Sequence, residues 1–217
     1  MNVFEGDKRL NRIADYVKKE ICGYDSGHDW YHIIRVLNTS MYIHNNEHIG
    51  DITTIAMGAL MHDIGDRKFG VGEKHDEIEA VLSEAGFEKP VIDAVIEINK
   101  NISFSSSDKK IEKSDELMIV QDADRLDAIG AIGIARAFNY GGFKNRVIYD
   151  PDYEPLAVGD MNAYRKSTSP TINHFYEKLL LLKDMMNTST GRKLAEERHD
   201  FMELFLRQFY KEWKLEI

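Results

Sequence analysis

The chain has 217 residues, a formal net charge of −9, 43% hydrophobic and 30% charged residues, which suits one folded domain and is too apolar for a disordered chain. The negative charge is spread along the chain with no dense Lys/Arg run, which argues against a nucleic-acid polymer as partner, since such binding rests on many phosphate contacts. Cys22 is the lone cysteine, so neither an intrachain disulfide nor a thiolate zinc site can be built. Apolar runs such as Leu179 to Leu182 fall far short of the roughly 20 residues a bilayer requires. Met1 to Asp7 shows no basic stretch followed by an apolar core. A cytoplasmic protein without a membrane partner is the expectation.

Helical periodicity dominates in chain order. From Trp30 to His44, one stripe runs through Trp30, Ile33, Ile34, Leu37 and Met41, and a second through His32, Val36, Thr39 and Ile43. A helix apolar on two faces is buried on two faces. Ile52 to Ile64 is apolar nearly all round and reads as a central helix. Pro90 suits the first turn of a helix carrying Val91, Ile92, Val95, Ile96 and Ile98. Ser114 is placed to cap a helix reaching about Ile129, with Asp115 and Glu116 in its positively polarised first turn. Ser169-Pro170 starts a helix through Phe175, Leu179 and Leu182. A last helix, from about Thr190, carries Leu194, Phe201, Leu204, Phe205 and Phe209. Turn chemistry fills Asn101 to Ser114 and Gly141 to Asp160, and the second of these is a candidate substrate loop because so long an aperiodic stretch is unusual. No alternation of period two is sustained, so the fold class expected is all-α.

Three of these helices each send a titratable group inward. His32 shares a line with Val36 and Ile43. The central helix ends in His62-Asp63, and Asp124 follows Leu117 by seven residues and Val120 by four, on an apolar face. Buried charge is paired or bound to metal, and imidazole with carboxylate is a ligand set for borderline or hard divalent ions. One ion would satisfy all four residues; hydrogen bonds at a helix end are the alternative for the His62-Asp63 pair.

The order His32, His62-Asp63, then Asp124 within Ala123-Asp124-Arg125-Leu126 resembles the HD-domain superfamily of metal-dependent phosphohydrolases. The segments Gly27-His28-Asp29-Trp30-Tyr31-His32, Ala59 to Ile64, Gln121 to Gly130 and His174 to Leu179 look like a branch of small bacterial HD hydrolases. The resemblance covers most of the chain. It implies a single HD-domain hydrolase over residues 1–217, with a helical core at about 20–140, a candidate loop at 141–160 and C-terminal helices at about 169–213. It further implies His32, His62, Asp63 and Asp124 as ligands of a divalent ion (Mn, Fe, Co, Ni, Zn or Mg) and a small phosphorylated substrate. Asp66, four residues after His62, corresponds to an acidic residue used in general acid/base catalysis; a surface carboxylate after Gly65 is its alternative.

Other positions are weighed beside these. Asp127 could orient a ligand or pair with a cation. His28 and Asp29 line the pocket or simply cap the His32 helix. Lys68, Asn101 and Arg125 are candidates for holding phosphate, against ordinary structural roles. His174 reads better as an interhelical histidine than as a site residue. Two rival functions remain: an HD-fold iron-dependent oxygenase, for which His75 alone leaves the dinuclear pattern one histidine short, and a nucleotide-sensing module without turnover. Oligomeric state stays open, a homodimer among the options.

Overall fold

The computed structural model describes residues 8–22, 29–65, 74–103, 111–156 and 168–216. Among them are nine α-helices, one 3-10 segment and no strand, so the all-α expectation holds. The chain divides into two units, residues 1–123 and 124–217. The division falls inside a helix that runs without interruption.

In the first unit the helices are α1 (Lys8–Glu20), α2 (Trp30–Glu47), α3 (Ile52–Met61), α4 (His75–Glu84), α5 (Lys89–Asn101) and most of α6 (Asp115–Asp127). The even apolarity of α3 has the consequence expected: every residue from Thr54 to Met61 is buried, with α1, α2 and α5 packed around it. Asp51 starts α3 by accepting from the Thr54 amide at 2.8 Å, satisfying one of the amides a helix start leaves without a partner. The Asp51 amide in turn donates to Glu116 Oε1 at 2.8 Å, tying the start of α3 to the first turn of α6. Gly58 has no side chain where Ile98 of α5 lies against it, since a Cβ there would meet Ile98 Cδ1 at 2.6 Å. Pro90 sits in the first turn of α5, and Ser114 Oγ accepts from the Leu117 amide, both as their residue types predict.

The second unit holds the last turn of α6, then α7 (Gly130–Phe143), α8 (Asn173–Glu177), a 3-10 segment (Leu179–Met185) and α9 (Ser189–Trp213). Phe138, Phe175 and Phe205 cluster in it with centroids 5.7–6.2 Å apart, Phe175 stacked on Phe205 and Phe138 tilted or edge-on to them. Thr188 caps α9, its hydroxyl accepting from the Gly191 amide at 2.9 Å.

Several boundaries differ from the periodicity. Helix α3 stops at Met61, and His62 to Gly65 form a turn whose Gly65 takes φ +72°, a value that favours glycine. Helix α7 continues through Gly141-Gly142; Gly141 is needed there because the Thr171 side chain occupies the space of a Cβ. The helix read from Ser169-Pro170 is broken in two at Lys178, whose φ −146° and ψ −57° are not helical. Helices α1, α4 and α7 were not singled out by the sequence patterns.

Candidate metal centre

Asp29 caps α2, its carboxylate accepting from the His32 amide at 2.9 Å. One turn into the helix, His32 points inward beside Val36 and is fully buried. The second histidine comes from the turn after α3. His62 Nδ1 lies 2.8 Å from the Ala59 carbonyl. A carbonyl only accepts, so Nδ1 carries the hydrogen and Nε2 keeps its lone pair, the arrangement in which a backbone carbonyl orients a metal-binding imidazole.

The two Nε2 atoms converge to 3.2 Å, with the rings edge to face. One Asp63 oxygen lies 3.3 Å from His32 Nε2 and 3.5 Å from His62 Nε2. All three side chains are essentially buried. The third element is α6: His32, His62 and Asp124 each offer a ligand atom, and these lie within 4.8 Å of one another. Asp124 directly follows Ala123 on the same continuous helix and is partly exposed.

This donor set fits a divalent ion. Adjacent ligands about 2.1 Å from a common ion stand roughly 3.0–3.4 Å apart in octahedral to tetrahedral geometry, close to the 3.2, 3.3 and 3.5 Å that separate the two nitrogens and the Asp63 oxygen. Two buried imidazoles facing a buried carboxylate also match the hard-to-borderline preference of Mn, Fe, Co, Ni, Zn or Mg.

The remaining candidates are distributed as follows. His28, Asp66 and Lys68 lie outside the described residues, as does part of the 141–160 stretch. Asp29 is engaged as the α2 cap. Asn101 turns its amide back to the Glu97 carbonyl of its own helix at 3.0 Å. Arg125 donates from Nη1 to the Met185 carbonyl, and Asp127 pairs with Arg136 at 2.7 Å. These three side chains thus each have a structural partner. His75 is the first residue of α4.

Asn99 was missed by the sequence reading. Its Nδ2 lies 2.9, 3.1 and 3.0 Å from the carbonyls of Met61, His62 and Ile64, around the turn that carries His62 and Asp63. The signal was a carboxamide on the apolar stripe of α5, in line with Ile92, Val95 and Ile96.

The HD domain model matches residues 29–129, from the α2 cap to the end of α6. YpgQ of Bacillus subtilis (strain 168) is 39% identical over 213 residues, covering 94% of each chain. Its crystal structure in complex with ADP superimposes with a TM-score of 0.75 at 38% identity, over 94% of this chain and 97% of that one. A Lactobacillus plantarum protein reaches a TM-score of 0.81 at 35% identity, over 96% and 98% of the two chains. An HD-superfamily hydrolase from Bacillus thuringiensis gives 0.74 at 40%, over 95% and 97%.

Proposed function

The chain belongs to the HD-domain superfamily, and on that premise we propose that it is a metal-dependent phosphohydrolase that cleaves a phosphoester of a nucleotide or a related small phosphorylated metabolite. The observation that carries this reading is the convergence of His32 Nε2, His62 Nε2 and an Asp63 oxygen within 3.5 Å in a buried site. In the proposal these residues and Asp124 hold the ion. A divalent ion supplies, when bound, acidification of water and polarisation of a phosphoryl oxygen.

The protein's own groups do the rest. The Ala59 carbonyl holds His62 in the tautomer that presents Nε2 inward. The Asp29 cap fixes the first turn of α2 and so the direction of His32. Asp124, the one partly exposed member, marks the side from which substrate enters. Asp66 is assigned the general acid/base role, three residues beyond Asp63. A nucleotide is favoured as substrate because the similar YpgQ was crystallised with ADP.

The test is phosphate release from a panel of nucleotides and sugar phosphates, run with Mn, Co, Ni, Zn, Fe and Mg in turn. Turnover of at least one compound is expected, with Asp63→Ala reduced by about 100-fold or more, since outer partners of metal ligands alone are worth about 10–100-fold, and Asp66→Asn reduced in kcat. No turnover with any metal, or full activity in Asp63→Ala, overturns the proposal. The oxygenase and sensing-module readings predict, respectively, oxygen uptake with iron and nucleotide binding without phosphate release.

A further inference from the structure

Helix α5 contributes none of the four proposed ligands, yet hydrogen bonds at its C-terminal end reach two of the three elements that carry them, the His62-Asp63 turn and α6. On one side Asn99 Nδ2 faces the carbonyls of Met61, His62 and Ile64, all within 3.1 Å. A carboxamide has two N–H hydrogens, so three acceptors at this range share them. These carbonyls belong to the last residue of α3 and to the turn that follows it, where a helix end leaves carbonyl groups without intrahelical partners. On the other side Gln121 of α6, itself buried, donates from Nε2 to the carbonyls of Asn101 and Ile102 at 3.2 and 3.4 Å. Its Oε1 accepts from Lys113 at 2.7 Å, which fixes the orientation of the amide. Gln121 is three residues before Asp124 on the same helix, and Asn99 is two residues before Asn101. A carboxamide on an apolar stripe is costly to cover without partners, and these bonds offset that cost.

We propose that Asn99 is a positioning residue of the metal centre: it locks the His62-Asp63 turn, through α5 and Gln121, to the helix that carries Asp124. The proposal rests on the metal-site reading given above. Without Asn99 the turn keeps Gly65 and the His62–Ala59 bond but loses its attachment to α5. His62 and Asp63 then sample a wider range of positions relative to Asp124, and the ordering cost falls on metal binding. Outer partners of this kind are worth about 10–100-fold in metal affinity.

The test uses the full-length protein and Mn²⁺ alone as probe, with free Mn²⁺ read by its electron paramagnetic resonance signal. Asn99→Ala and Asn99→Asp, which both remove the donor, are expected to raise the Kd for Mn²⁺ by about 10–100-fold. Asn99→Ser, which keeps one short donor and is the variant to measure should Asn99→Ala fail to fold, is expected to raise the Kd by a smaller factor. Gln121→Ala raises it too, and the double variant raises it by less than the product of the two single effects. The Tm of each variant is measured metal-free. A merely structural cap lowers that Tm while leaving the Kd at the wild-type value, and this result overturns the proposal. His62→Ala and Asp63→Ala separate the two levels: if they bind Mn²⁺ as tightly as wild type, the metal reading itself has failed, whereas a loss confined to them overturns only the role of Asn99.

Discussion

Asp29 and His32 show how one residue's local bond sets another's direction. The Asp29 carboxylate holds the His32 amide at 2.9 Å, so Asp29→Ala removes an N-cap worth about 0.5–2 kcal/mol. The expected outcome in urea unfolding is a loss in that range. His174 gives a pH prediction. Burial, with the Lys178 and Arg146 cations adding, pushes its imidazole from 6.5 down to about 3. The unfolded chain therefore binds a proton that the folded chain refuses across that window, and stability present above pH 6.5 is lost as pH falls toward 3. His174→Gln should flatten the slope of unfolding free energy against pH over this range; identical slopes for the two proteins would reject the assignment. The inward direction of His32 and the end-of-helix position of His62-Asp63 were legible from spacing alone. Asn99 was not, because a lone amide on a stripe has no partner until α3 is folded against α5.

At the scale of elements, α3 and α5 cross closely at Gly58. Adding a methyl at Gly58 drives it into Ile98 Cδ1, and Ile98 is buried. Overpacking of this kind costs about 1–3 kcal/mol, against a helix-propensity gain of about 1 kcal/mol for alanine over glycine. A net loss of up to about 2 kcal/mol is expected for Gly58→Ala on those figures. Ile98→Val, which removes the offending methyl, should cost less in the Gly58→Ala background than in wild type, as read by a double-mutant cycle of unfolding free energies. The long, uniformly apolar or clearly striped helices α2, α3, α5 and α9 were legible because burial writes itself into their period. Helices α1 and α4 bury only a few residues each, so their stripes are short. The break at Lys178 was invisible because Leu179 to Leu182 suits a 3-10 turn as well as an α-helix.

For the molecule as a whole, a metal that binds only the folded chain stabilises it by mass action. Saturating Mn²⁺ at about 100 times its Kd should add about 2.7 kcal/mol, seen as a Tm increase that a chelator abolishes. His62→Ala should show no such increase, and an equal increase in both proteins would reject the site. Among the described residues no helix is long and apolar enough to cross a membrane, in keeping with short apolar runs and charge spread along the chain. Composition and period by themselves determined that the fold is helical, which faces of its long helices are buried and which titratable groups those faces carry inward, because burial free energy acts on each residue through its position in a local repeat. Only the tertiary structure decided that His32, His62 and Asp63 close to within 3.5 Å, and that Asn99, on a helix supplying none of the proposed ligands, bonds the turn that carries His62 and Asp63. Distances between separate helices depend on packing at every contact between them, and no local repeat encodes that sum.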